Sequence, residues 1–220
     1  MNGNLLDLLW ESFPKILLAG VRFTVPLTII SFSIALVIAT FMALVQYANV
    51  PVLKQLARFY IWIIRGTPLL VQLFVVYYGL PNAGITIDAF PAAVIVFSIN
   101  EGAYAAETIR AAIEAVPRGQ IEAGYCVGMN YMQIMLRIVL PQVMRTAFPP
   151  LSNSLIGMIK DTSLASSITV AEMLSETKRI VGRTFEALAL YVEVGLVYLL
   201  FCTFMTWLQR FAEKRMRHYN

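Results

Sequence analysis

Two long runs without a charged residue constrain this chain more than any other feature. Phe23 to Leu53 is 31 residues and Gly66 to Ile87 is 22. A helix rises 1.5 Å per residue, so about 20 residues cross the roughly 30 Å of bilayer hydrocarbon. Both runs are long enough. Composition points the same way: 59% of residues are hydrophobic and 14% charged, against about 25% charged in an ordinary soluble domain. A soluble fold of 220 residues has too little interior to hide that much apolar surface. The chain reads as an all-α integral membrane protein.

Three shorter charge-free runs follow: Ala89 to Asn100, Thr146 to Ile159 and Val194 to Gln209. They reach membrane length once a charge is admitted at one end, where Arg145, Lys160 and Arg210 can snorkel. Five spans result, at about 22–47, 60–80, 89–110, 142–159 and 190–209. Residues 1–22 read as an amphipathic lead-in with Trp10 at the headgroup level. Asp7 and Glu11 ahead of the first run argue against a cleavable signal peptide. Asn49-Val50-Pro51 and Pro81 to Gly84 read as breaks, and Arg65 to Pro68 interrupts the second span. Pro149 and Pro150 predict a kink or discontinuity in the fourth. Gly102, Ala103, Ala105 and Ala106 give the third span a thin face that another helix can approach. The stretches 111–141 and 160–189 are too polar to span.

The basic residues divide unevenly between the two sides. Eleven Lys and Arg fall in 54–65, 110–145 and the tail, and six fall at Lys15, Arg22, Lys160, Lys178, Arg179 and Arg183. The positive-inside rule makes the first side cytoplasmic, with the N-terminus outside and the C-terminus inside. Because these charges flank apolar spans rather than forming one basic face, they are not a nucleic-acid footprint.

Much chemistry is absent from the sequence. There is no Walker A run, no HExxH and no GxSxG. Cys126 and Cys202 are isolated small apolar residues, and His218 belongs to the tail, so no metal-ligand set forms. An enzyme is therefore not expected. Carboxylates near apolar sequence remain. Glu101 is either functional or one half of a helix–helix ion pair. Glu107 stands three residues before Arg110, the spacing of an intrahelical pair. Asp161 could cap, pair or border a translocation path.

The most informative segment lies in 111–141. Glu122-Ala123-Gly124 is followed by three residues, Gly128, nine residues and Ile138-Val139-Leu140-Pro141. Gly128 permits a tight turn between two short helices. Ile134, Ile138 and Leu140 could hold the second helix to the bundle, while the first projects Glu122 outward as a docking element.

This pattern resembles the EAA loop of permease subunits in binding-protein-dependent ATP-binding-cassette (ABC) importers. It departs at Gly124, where that loop usually carries a second alanine; glycine there loosens the helix. Arg65 to Gln72 (RGTPLLVQ), Asn100 to Glu107 (NEGAYAAE), Pro117 to Gln120 and Lys160 to Leu164 resemble the polar amino-acid branch of the family, and the likeness covers about residues 15–210. Ala57 to Tyr60 and Tyr77 to Pro81 look most like cystine permeases.

The resemblance implies one permease domain over 1–220 with a type I importer, MetI-like fold. It implies a path for a polar amino acid, cystine or a related sulfur amino acid first, with glutamine, glutamate, histidine or arginine as alternatives. The partners implied are a cytoplasmic ABC ATPase, a second permease subunit and an extracytoplasmic solute-binding protein, in a bacterial cytoplasmic (inner) membrane. ATP and Mg²⁺ belong to the ATPase, and this chain needs no cofactor. Glu122, Ala123, Gly124, Gly128, Leu140 and Pro141 carry the coupling role over; Glu101, Tyr104 and Asp161 are the path candidates. A membrane scaffold without transport is the competing class. A secondary transporter would be expected to show an inverted repeat, and none is found.

Overall fold

Long apolar runs in a bilayer must satisfy their own backbone, and helices do so within one segment. The computed structural model, which describes residues 3–47 and 50–217, accordingly has helices as the only regular secondary structure among the described residues. Ten α-helices follow in order among the described residues: α1 Gly3–Ala19, α2 Val25–Tyr47, α3 Pro51–Gly66, α4 Leu69–Phe74, α5 Ala89–Glu114, α6 Arg118–Cys126, α7 Tyr131–Ile134, α8 Leu140–Asp161, α9 Met173–Thr184 and α10 Ala187–Arg217. Asn49 and His218 lie outside the described residues.

Three π turns, Gly20–Thr24, Val75–Gly79 and Met135–Val139, each end two residues before a proline: Pro26, Pro81 and Pro141. Proline lacks the N–H that bonds the carbonyl four residues back, and its ring crowds that carbonyl. A wider turn just ahead relieves both problems. The residue before each proline instead donates five residues back: Val25 to the Gly20 carbonyl, Leu80 to Val75, and Leu140 to Met135.

Membrane-length helices are fewer than the five expected spans. Among the described residues three are long and apolar enough, Leu5–Tyr47, Ala89–Glu114 and Ala187–Arg215; a pair broken after Gly66, Pro51–Gly66 with Leu69–Ala83, makes a fourth if it counts as one. The expected lead-in is not separate, because α1 runs through a π turn into α2. The second span is divided at Thr67-Pro68, where the Gln72 amide donates to the Thr67 carbonyl and hydroxyl at 3.2 and 2.8 Å. The expected fourth span falls in α8, which runs unbroken through Pro149 and Pro150. Its 22 residues suffice in length, but Arg145, Ser152, Asn153 and Ser154 dilute its apolar character.

The chain forms two compact units, each assembled from discontinuous segments. One comprises 1–33, 67–98 and 155–208. Its cores gather Leu27, Leu73, Phe97 and Ile168, and separately Ile16, Met173, Val194 and Val197. Gly20 is required here: a Cβ would stand 2.8 Å from both Met173 Sδ and Phe201 Cζ. The other unit comprises 34–66, 99–154 and 209–220. The thin face of α5 is used in it. Ala103, Ala105 and Ala106 are fully buried, and a Cβ on Gly102 would lie 2.9 Å from Ile38 Cγ2. The Tyr60 hydroxyl donates to the Ile99 carbonyl at 2.6 Å.

Candidate functional site

Pro117 opens α6 with the extended backbone that favours a helix start behind it, and the Gln120 N–H reaches the Pro117 carbonyl at 3.0 Å. Along α6, Glu122 and Ala123 are exposed and Gly124 is buried. The helix ends in a Schellman motif. The Met129 N–H bonds the Gly124 carbonyl and the Gly128 N–H bonds the Tyr125 carbonyl, both at 3.0 Å. That closure needs a left-handed residue, and Gly128 has φ +80°. Two residues later Asn130 caps α7. Its Oδ1 accepts the Gln133 N–H and Gln133 Oε1 accepts the Asn130 N–H, both at 2.9 Å, a reciprocal capping box.

The two short helices are seated on the end of α5 and the start of α8. Ile134 is fully buried with Ala112, Ile113, Val116, Val139 and Val143, and Ile138 packs at the edge of this cluster. Leu140, expected to help anchor the segment, is 44% exposed instead. At about 100° per residue Leu140 stands roughly 200° around the helix from Ile138, so the two do not share the buried face. The Gln142 amide bonds Gln120 Oε1 and the Ile138 carbonyl, tying α8 to α6. Tyr125, Val127, Tyr131, Met132 and Leu136 are exposed apolar side chains in the same segment as Glu122. The outcome is a short helix fixed at its C-terminal end and on its inner side that presents one carboxylate and an apolar surface.

Glu101 and Tyr104 lie one turn apart on α5; Asp161, exposed at the end of α8, belongs to the other unit. The Arg65 guanidinium stands 5.1 Å from the centre of the Tyr104 ring. The expected Glu107–Arg110 pair forms at 2.9 Å and is part of something larger. Arg110 also bonds both oxygens of Glu114 at 2.7 Å, Gln46 donates to Glu107 at 3.2 Å, and Arg65 approaches it at 4.0 Å. Sequence spacing could propose the two pairs within α5 but not Gln46 or Arg65, which come from other helices.

A second carboxylate escaped the sequence reading. Glu172 is fully buried and caps α9, accepting the Ser175 and Leu174 N–H groups at 2.7 and 2.9 Å and the Tyr198 hydroxyl at 2.6 Å. Burial pushes its carboxyl above the ordinary value, and those three donors hold it partly back. Its signal was an acidic residue just before an amphipathic helix, where acceptors cap free N–H groups. Among the described residues no group of His, Cys, Asp and Glu could hold a metal ion.

An all-α membrane protein with a rigid, amphipathic helix pair outside its apolar helices is the class that the geometry defines. Residues 35–218 match the family described as "Binding-protein-dependent transport system inner membrane component", and the chain belongs to it. It is the permease subunit of a polar amino-acid ABC importer, a transport subunit rather than an enzyme. It is 45% identical over 214 residues to the L-cystine transport system permease protein TcyB of Bacillus subtilis (strain 168), covering 97% of this chain and 92% of that one. The crystal structure of an amino acid ABC transporter with histidines superposes with a TM-score of 0.89 at 32% identity, covering 98% and 100% of the two chains. The MetNI methionine ABC transporter in an inward-facing conformation shares the fold, with a TM-score of 0.67 at 18% identity over the full length of both chains.

Proposed function

We propose that this chain, as one permease domain, lines the path of a polar amino acid, cystine or a related sulfur amino acid, across a bacterial cytoplasmic membrane. A second permease subunit completes the path, a solute-binding protein delivers the solute, and a cytoplasmic ABC ATPase drives the cycle. ATP and Mg²⁺ are held by that ATPase. The observation that carries the coupling role is α6, an exposed helix fixed at one end by the Schellman turn and on its inner side by the Gly124–Ile134 packing. Such a rigid element transmits ATPase closure to the helices behind it. Glu122 and Ala123 touch the ATPase; Gly124, Gly128, Leu140 and Pro141 shape the segment.

Glu101, Tyr104 and Asp161 are the residues we assign to the path. The cystine assignment is supported by the likeness to TcyB; histidine is the second reading, favoured by the relative whose structure holds histidines. The eleven-to-six split of basic residues supports an N-terminus outside and a C-terminus inside. That orientation needs an odd number of crossings. If the broken α3–α4 pair crosses, α8 must cross too. The test of substrate is uptake by the complex reconstituted with its ATPase and binding protein. Labelled cystine should accumulate with ATP and outpace histidine; histidine uptake without cystine uptake rejects the first assignment.

A further inference from the structure

We propose that α3 carries a binding site for the headgroup of an anionic phospholipid, with Lys54 and Arg58 as its phosphate ligands. A cavity of about 290 Å³ opens beside these residues, closed by Trp62, Glu107, Arg110 and Glu114. Lys54 and Arg58 stand four residues apart, so they lie one above the other on one helix face. Arg110 is bonded to both Glu107 and Glu114. Three cations against two carboxylates leave the lining positive.

The remainder of α3 says which anion fits. Val52, Leu56, Phe59 and Ile63 follow helical spacing and are all exposed, and Trp62, on the cavity wall, is 71% exposed. An apolar stripe beside a cationic cavity on the same helix suits a molecule with acyl chains and a phosphate joined together. A free phosphate would use the cations and leave the stripe bare. Tryptophan at the seam is the side chain that prefers the boundary between hydrocarbon and headgroup. Basic pockets between membrane helices attract anionic headgroups by the same Coulomb attraction. The site follows from embedding in a bilayer and does not rest on the substrate or the coupling role.

Trp62 makes the site directly readable. Replacing Trp10 and Trp207 with phenylalanine leaves it as the only tryptophan of three. The chain, in its transporter assembled with partner subunits stripped of tryptophan, is placed in phosphatidylcholine bilayers containing increasing amounts of brominated phosphatidylglycerol or brominated phosphatidylcholine. Quenching should be half complete at about a 25-fold lower fraction of the anionic lipid, since each of two basic side chains contributes about five-fold near a membrane surface. Arg58→Gln should cut that preference about five-fold and Arg58→Lys should keep it; Arg58 is exposed, and unchanged circular dichroism checks that each variant is folded. Equal midpoints for the two lipids overturn the proposal, as does a preference unchanged by Arg58→Gln. Quenching by neither lipid overturns it too, since a second copy or another subunit then covers the face. Reversal by added inorganic phosphate would assign the cavity to a free anion instead.

Discussion

Gly124 of α6 and Ile134 of α7 approach so closely that a Cβ on Gly124 would lie 2.9 Å from Ile134 Cγ1. Ile138 Cδ1 stands at 3.2 Å on the same side. Two effects oppose each other in Gly124→Ala. Alanine gains about 1 kcal/mol of helix propensity, while overpacking a filled core costs about 1–3 kcal/mol. Ile134 is fully buried and the atom met is inside its side chain rather than at its free end, so overpacking wins. The alanine that the EAA pattern usually carries should therefore destabilise the segment. Faster amide exchange across 118–134, with unchanged exchange in α10, is the expected readout.

Gly128 calls for a different pair of substitutions. Nothing lies within 4 Å of a Cβ built there, so space is not the limit. The backbone is, at φ +80°. Gly128→Val should cost about 1–2 kcal/mol, because a β-branched side chain is disfavoured in the left-handed region. Gly128→Asn should cost less, since asparagine visits that region more readily. Thermal unfolding of the purified chain should rank the three as Gly, Asn, Val. Substrate-stimulated ATP hydrolysis in the complex should follow the same order.

The uneven legibility of the sequence has a physical cause. Charge-free runs report burial in hydrocarbon directly, so the helices around Phe23–Tyr47, Ala89–Glu114 and Ala187–Gln209 are readable. The break in the second span is legible at Arg65 to Pro68, because glycine and proline together interrupt a helical apolar run; that it separates two helices bent by 102° is not. Lys160 and Asp161 close α8, but its interior Ser152-Asn153-Ser154 makes it neither an apolar helix nor a loop. The turn at Gly128 is legible because only glycine sits easily at positive φ. The Asn130–Gln133 capping box is equally local, and its spacing is a helix-start signature. Gln46 beside Glu107 is beyond reach: 61 residues separate them, and no local pattern encodes the meeting of two distant helices. The π turns are hidden as well, yet each prints its cue in the sequence as a proline two residues on.

Buried Glu172 makes stability pH-dependent in a stated direction. Its carboxyl is raised by burial, so the unfolded chain releases that proton at lower pH than the folded one. The stabilising contribution is full below the ordinary carboxylate value and is lost as pH rises through the raised folded value. The melting temperature should fall over that window, and Glu172→Gln should flatten this part of the profile. Tyr198→Phe removes the donor at 2.6 Å and should move the fall to higher pH. A double-mutant cycle of the two changes should show coupling of about 0.5–3 kcal/mol, as expected for groups that touch.

Orientation can be read from a residue already present. Cys126 is exposed at the end of α6, and Cys202 is the only other cysteine. With Cys202→Ala, a membrane-impermeant maleimide should label Cys126 in inverted vesicles and leave it unlabelled in right-side-out cells. Labelling from the outside would reverse the orientation and place α6 away from a cytoplasmic ATPase.

Glu122 gives the most direct test of coupling. It is exposed on α6, the helix that Cys126 ends, so its loss leaves the Gly124–Ile134 core intact. Glu122→Ala should therefore insert and melt like the parent chain, within about 0.5 kcal/mol for a surface change. At the ATPase interface the effect is larger. Removing a charge-assisted hydrogen bond that forms on docking costs about 1–3 kcal/mol, which lowers ATPase retention by about five-fold or more at fixed protein concentration. Uptake and substrate-stimulated hydrolysis should fall together while insertion stays constant. Protection of Cys126 from maleimide by the ATPase should weaken in parallel, because both residues lie under the same docked surface. Full uptake with full Cys126 protection in the Glu122→Ala complex would mean that α6 docks without its carboxylate; full uptake with no protection in either complex would mean that the ATPase binds elsewhere on the chain.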